Sequence, residues 1–139
     1  MMTKSSEQLS CLSIILCDDV FEDKRTSKRI LVGTFDRILA GAFPCAHGSM
    51  VVWLELTSGR GQYDLSVSIV HAETDLKTLE VNGRVVFEDP LQVVGIAIGF
   101  ANVVFKEPGK YWIDVYANQT LIAQRAFLVE QPPGTGKSP

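Results

Sequence analysis

The chain has 139 residues, of which 46% are hydrophobic and 21% charged, and its formal net charge is −3 at pH 7. This composition is typical of one globular domain and excludes a chain that is disordered throughout. The low net charge also excludes the strongly basic surface of a nucleic-acid-binding protein, so no nucleic-acid partner is expected.

The two ends of the chain predict tails. We expect a flexible N-terminal tail at residues 1–9, a β-sandwich domain at 10–131 and a flexible C-terminal tail at 132–139. The apolar run 12–17 is too short to cross a membrane or to form a typical signal peptide, so we expect a cytoplasmic protein without a membrane partner. The tail Gly134–Ser138 resembles a phosphate-binding loop, but no helix can follow it, so no ATP binding is expected.

Apolar residues alternate with polar ones along most of the chain, which is the period of a half-buried strand. The alternation is cleanest between Tyr63 and Ile69, where polar residues separate the apolar ones. The pattern predicts strands at residues 11–18, 29–35, 49–57, 61–71, 76–82, 84–88, 91–105, 110–117 and 120–130.

Turn-forming residues lie between these runs. A charged segment at 22–28 predicts a loop, residues 58–61 a short hairpin loop, Asn82 and Gly83 a type I′ turn, and residues 118–119 the last hairpin turn. The best helical spacing, at 35–42, is too short for a long helix. Short strands joined by tight turns predict an all-β fold, an antiparallel two-sheet β-sandwich of immunoglobulin-like architecture.

Three short motifs occur at the ends of predicted strands. Cys17, Asp18 and Asp19 close the first strand, residues 33–36 read Gly-Thr-Phe-Asp, and residues 107–111 read Glu-Pro-Gly-Lys-Tyr before the final hairpin. In these features the chain resembles a family of small bacterial β-sandwich domains of unknown function, over about residues 10–130. The resemblance implies a bacterial sandwich domain and transfers no activity.

Residues suited to catalysis or metal binding are sparse. His47 lies in a predicted loop, His71 ends a strand, and neither has a metal-ligand partner at i+2 or i+4. The three cysteines lack the spacing of a zinc site, and the acidic residues at 18–23 share their loop with lysines and arginines. We therefore predict no catalytic residue, no cofactor, no metal site and no enzymatic activity.

Several large side chains point away from the predicted core. If Tyr111, Ile113 and Val115 face inward, then Trp112 and Tyr116 on the same strand face outward. One side of the strand at 91–105 carries only small residues, which lets a ring or a backbone approach closely. Either a segment such as 35–43 covers these faces, or they form an interaction surface. The candidate interaction surface comprises Val51, Trp53, Gly95, Ala97, Gly99, Trp112 and Tyr116.

These features favour a non-enzymatic binding or scaffold module that acts through protein–protein contact or self-association, for example as a homodimer. The alternative is a small-ligand or carbohydrate recognition domain. In that case the same aromatic rings stack on a sugar, and Asp64, Asp114 or Asn118 bind its hydroxyl groups.

Overall fold

A computed structural model describes residues 9–133, and within that range the chain forms ten strands and no helix. The strands are β1 (Ser10–Cys17), β2 (Asp19–Glu22), β3 (Arg29–Val32), β4 (Arg37–Leu39), β5 (Cys45–Thr57), β6 (Gly61–His71), β7 (Lys77–Phe87), β8 (Val94–Phe105), β9 (Gly109–Ala117) and β10 (Thr120–Glu130). The described range holds no helix that is long and apolar enough to cross a membrane.

The strands form two sheets and a separate hairpin. One sheet has three strands in the order β1-β5-β8, and the other has five in the order β4-β10-β9-β6-β7. β2 and β3 pair only with each other. Pairing is antiparallel throughout, except that the short β4 runs parallel to β10. Because the chain crosses between the two sheets after β4, β5, β7 and β8, the topology is that of an immunoglobulin-like sandwich, and the predicted fold class is confirmed.

The alternation of apolar residues places one face of each sheet in a shared core. On β9, Tyr111, Ile113 and Val115 point inward as predicted. The opposing layer from β5 is fully buried and consists of Met50, Val52, Leu54 and Leu56. Each such aliphatic side chain contributes roughly 1.5–3 kcal/mol when it is removed from water, so this layer is the main force that holds the two sheets together.

Tyr111 fixes the corner that leads into β9. Its hydroxyl donates a hydrogen bond of 2.6 Å to the backbone oxygen of Glu107. Its ring centroid lies 4.8 Å from that of His71 and 5.0 Å from that of Phe105. Burial raises the pKa of the Tyr111 phenol, which keeps the group protonated and able to donate. A tyrosine with this backbone bond is a recurring feature of immunoglobulin-like sandwiches.

One predicted turn is wrong. Asn82 and Gly83 lie inside the continuous strand β7, where they pair with Ser66 and Leu65 of β6. Neither residue has the positive φ angle that a type I′ turn requires. The long strand β6 offers a partner along its whole length, and this pairing outweighs the local preference of the Asn-Gly pair.

Of two other predicted hairpin turns, the one at residues 58–61 is wrong and the one at residues 118–119 is correct. Residues 58–61 do not close a hairpin, because β5 and β6 belong to different sheets. Residues Asn118 and Gln119 do close the hairpin between β9 and β10, with positive φ angles of 49° and 72°. Positive φ angles at both central residues are typical of a type I′ turn, and the predicted hairpin turn at residues 118–119 is confirmed.

Candidate functional site

The residues of the predicted interaction surface lie on two opposite faces of the sandwich. Trp112 and Tyr116 belong to the outer face of the five-stranded sheet. The other five residues, namely Val51, Trp53, Gly95, Ala97 and Gly99, lie on the outer face of the three-stranded sheet. The fold therefore divides the predicted surface into two separate candidate surfaces.

Trp53 points outward as predicted but is covered by the hairpin of β2 and β3. The residue is only 6% exposed, and the guanidinium carbon of Arg29 lies 5.4 Å from the centre of its ring. The indole lies on Gly95, where a Cβ atom would stand 2.4 Å from its Cη2 atom. The covering segment is thus the hairpin that contains the charged loop, whereas residues 35–43 contain β4 of the other sheet.

The hairpin leaves an apolar face of its own in solvent. Phe21 and Ile30 lie directly opposite each other in the register, and their exposed fractions are 53% and 49%. Val32 lies on the same face and is also exposed. This small face was not predicted from the sequence, because the pairing of β2 with β3 decides which side chains share it.

The outer face of the five-stranded sheet contains a groove of about 1010 Å³. A polar row crosses four strands in the order Gln124, Asp114, Ser68 and Glu80, and the last three of these residues line the groove. Although the middle of this row points away from the core, Asp114 is only 7% exposed and Ser68 only 1%. The rows on either side carry larger side chains, including Tyr116, so the polar row is sunken.

The charged groups around the groove are largely paired with each other. The Lys77 ammonium lies 2.7 Å from a carboxylate oxygen of Glu80, and the Arg84 guanidinium lies 3.5 Å from that of Asp64. The hydrogen bond with Glu80 raises the pKa of Lys77, and the hydrogen bonds from Lys77 and Ser66 lower the pKa of Glu80. Both partners of this pair are therefore charged near neutral pH.

Asp114 and Ser68 keep hydrogen-bonding capacity that the protein does not use. Asp114 Oδ1 accepts a hydrogen bond of 2.8 Å from Gln124 Nε2, whereas Oδ2 accepts none from residues 9–133. The Ser68 hydroxyl forms no hydrogen bond with any side chain or backbone group in the same range. These two side chains line the groove, so a ligand or water that enters it can use the remaining hydrogen-bonding capacity.

Of the aromatic and polar residues predicted for a sugar site, some line the groove and others lie outside it. Asp114 and Tyr116 line the groove, and so does Asp64, at its rim. Asn118 instead accepts a hydrogen bond of 2.9 Å from the Asp64 backbone amide. Trp112 is half-buried beside the groove, with the Lys110 ammonium 4.4 Å from the centre of its ring.

Neither histidine lies in the groove. His71 Nδ1 accepts hydrogen bonds from two backbone amides, those of Glu73 and Thr74, so its role is to hold a turn. His47 lies in strand β5, not in the predicted loop, and its buried Nε2 atom has no hydrogen-bond partner within the described range. Residues 9–133 contain no group of three or more His, Cys, Asp or Glu side chains placed to hold a metal ion.

The ends of the chain bear on the predicted domain limits. Residues 1–8 and 134–139, which include most of both predicted tails and the loop-like segment Gly134–Ser138, lie outside the described residues. Leu9, the first described residue, is buried in the core. The cytoplasmic location and the limits of the domain stay predictions.

Comparison with known proteins supports the resemblance in the sequence. A family model described as "Family of unknown function (DUF6941)" matches residues 12–130. No match was found among curated proteins. Among solved structures, the chain is similar to an immunoglobulin-like protein from Pseudomonas aeruginosa, with 13% identity and a TM-score of 0.44, over 90% of this chain and 98% of that one. Because the family model matches most of its length, the chain belongs to the DUF6941 family of unknown function.

Proposed function

We propose that this protein is a non-enzymatic binding module that holds a small polar ligand in the groove on its five-stranded sheet. The observation that carries the proposal is the sunken pair of Asp114 and Ser68, whose free hydrogen-bonding atoms line a space of about 1010 Å³. Ligand sites typically measure roughly 300–1,000 Å³ and contain a few polar groups at fixed positions. All four residues of the polar row lie on strands, so their geometry is set by the sheet.

The lining favours recognition over catalysis because the Ser66 hydroxyl donates a hydrogen bond of 2.6 Å to Glu80, whose lowered pKa makes it a weak base. Nucleophilic or general-base catalysis requires a nucleophile in contact with a base of suitable pKa. The residues that line the groove include serine, acidic and basic side chains, but no histidine or cysteine. The carboxylate of Glu80 is held by Lys77, and that of Asp64 by Arg84. This chemistry suits recognition better than bond cleavage.

A thermal-shift screen tests the proposal. The panel contains neutral sugars, polyols, amines, amino acids and carboxylates, and a compound that binds the folded state raises the melting temperature by mass action. At a concentration of about 100 times Kd, the stabilisation is about 2.7 kcal/mol. We expect a compound that stabilises the native chain but not the Ser66→Phe variant, in which a ring fills the groove.

The matched control is Gln62→Phe, which places the same ring on the same strand at an exposed position outside the groove. This variant should respond to the compound as the native chain does. A panel without any stabilising compound would overturn the proposal, and so would a compound that stabilises the Ser66→Phe variant equally.

Self-association is a second candidate, favoured by the exposed apolar face of the hairpin at Phe21 and Ile30. The adjoining loop carries both acidic and basic residues between 22 and 29, so a two-fold related copy can oppose unlike charges. Sedimentation velocity over a range of concentrations tests it. We expect a dimer that Phe21→Asp dissociates, with Val86→Asp, another exposed apolar site, as the control. A monomer at every concentration removes this candidate.

A further inference from the structure

We infer that the ligand of the groove is an uncharged polyhydroxylated molecule of the sugar class, bound through Asp114 and Ser68 with a ring face on Tyr116. This inference rests on the proposed function and adds the chemical class of the ligand. Three features of the groove support it: the unused hydrogen-bonding atoms, the charges of the lining and the position of the aromatic ring.

The unused atoms of the groove match hydroxyl groups. Asp114 Oδ2 is an acceptor without a donor among residues 9–133, and Ser68 Oγ can both donate and accept. In the register of β6 and β9, these two residues lie directly opposite each other. Cβ atoms of such pairs stand roughly 4.5–5.5 Å apart, which is a spacing that neighbouring hydroxyl groups of one sugar ring can bridge. A hydroxyl is suited to this pair because it donates to the carboxylate and accepts from the serine.

The charges that line the groove disfavour an anion most strongly, because the acidic side chains Asp64, Asp75, Glu80 and Asp114 outnumber the basic side chains Lys77 and Arg84. A cation at Asp114 would in turn be repelled by the Lys77 ammonium, which lines the same groove. An ionic ligand that bound one of these charged groups directly would have to break the pair of Lys77 with Glu80 or the pair of Arg84 with Asp64. A neutral polyol avoids both costs, and the mixture of donors and acceptors then serves its hydroxyl groups.

Tyr116 supplies the apolar contact that a sugar ring needs. It lies on β9, two residues after Asp114, opposite Ser66 of β6, and its half-buried side chain lines the groove. Its hydroxyl has no hydrogen-bond partner among the described residues, so the phenol can bind a further ligand hydroxyl. An aromatic side chain with a polar tip therefore stands beside the polar row, as expected for a ligand that has both C–H and O–H surfaces.

The test is isothermal titration calorimetry with sugars that share one ring and differ in charge. Neutral hexoses and their disaccharides form the first set, and glucosamine and glucuronate are the cationic and anionic counterparts of glucose. We expect a neutral sugar to bind more tightly than its charged counterparts. Asp114→Asn should weaken this binding about tenfold or more, and Ser68→Ala about fivefold. Gln62→Phe, outside the groove, should leave it unchanged.

The outcomes separate the inference from the function on which it rests. Binding of only the charged compounds, blocked by Ser66→Phe, overturns the neutral class and retains a ligand groove. If none of the neutral sugars binds, the inference is overturned. Absence of any ligand in the wider screen overturns the proposed function as well. If Asp114→Asn does not fold, Tyr116→Ala provides the same comparison, with cooperative thermal unfolding as the criterion for a folded variant.

Discussion

The contact between Trp53 and Gly95 leads to a prediction with a matched control. In Gly95→Ala, the new Cβ atom would stand 2.4 Å from Cη2 of Trp53 and 2.5 Å from Cζ2. The shorter distance is roughly 1 Å below ordinary carbon–carbon contact. The indole cannot yield by turning into solvent, because the hairpin covers it and only 6% of Trp53 is exposed. Overpacking of this kind costs about 1–3 kcal/mol, and removing a glycine from a strand returns about 0.5–1 kcal/mol.

The expected result is a loss of about 1–2 kcal/mol in the free energy of unfolding, which corresponds to about 3–6 °C in melting temperature for a domain of this size. Gly99→Ala is the control, because Gly99 lies on the same strand and the same face and has nothing within 4 Å of its added Cβ. That variant should be unchanged or slightly more stable. Urea unfolding followed by circular dichroism gives both values. If Gly95→Ala were as stable as Gly99→Ala, the packing of Trp53 on Gly95 would be refuted.

Three further predictions follow from single contacts. Tyr111→Phe removes the bond to the Glu107 backbone and should lower the free energy of unfolding by about 1 kcal/mol in urea titration; an unchanged value would mean that the bond adds no net stability. Burial raises the pKa of the Cys17 thiol, so less thiolate is present at a given pH, and a disulfide reagent at pH 8 should label Cys17 only after unfolding; labelling at the unfolded rate would contradict this. Arg29→Ala should increase acrylamide quenching of Trp53 fluorescence, and unchanged quenching would show that Arg29 is not its cover.

The fold could be predicted because its main signal is local. The alternation through Tyr111, Ile113 and Val115 gives both the strand and the face that enters the core, and the structure confirms both. The turn predicted at Asn82 and Gly83 is wrong because the structure there depends on long-range strand pairing. A type I′ turn is favoured by those two residues alone, whereas the continuous strand β7 depends on β6, whose residues lie earlier in the chain. Local preference loses when a long partner strand is available.

The candidate site could be predicted only in part, because its residues meet through long-range pairing. The sequence indicates that Trp53 and Trp112 both point outward, but the assignment of their strands to different sheets separates them. It does not indicate that the hairpin of β2 and β3 lies over Trp53, since the position of a hairpin relative to a sheet depends on tertiary packing. The exposed face at Phe21 and Ile30 could not be predicted for the same reason, since it depends on how β2 pairs with β3.

The groove could not be predicted from the sequence, and Ser68 illustrates the physical reason. Alternation predicts correctly that Ser68 points away from the core, and an outward serine is ordinarily solvated. Its exposure, however, depends on the neighbouring strands, which place Asp114 and Glu80 on either side of it and larger side chains in the adjacent rows. A residue can therefore point outward and be 1% exposed. A polar row between two bulkier rows on a sheet face is a pattern in register, and it becomes visible only when the order of the strands is known.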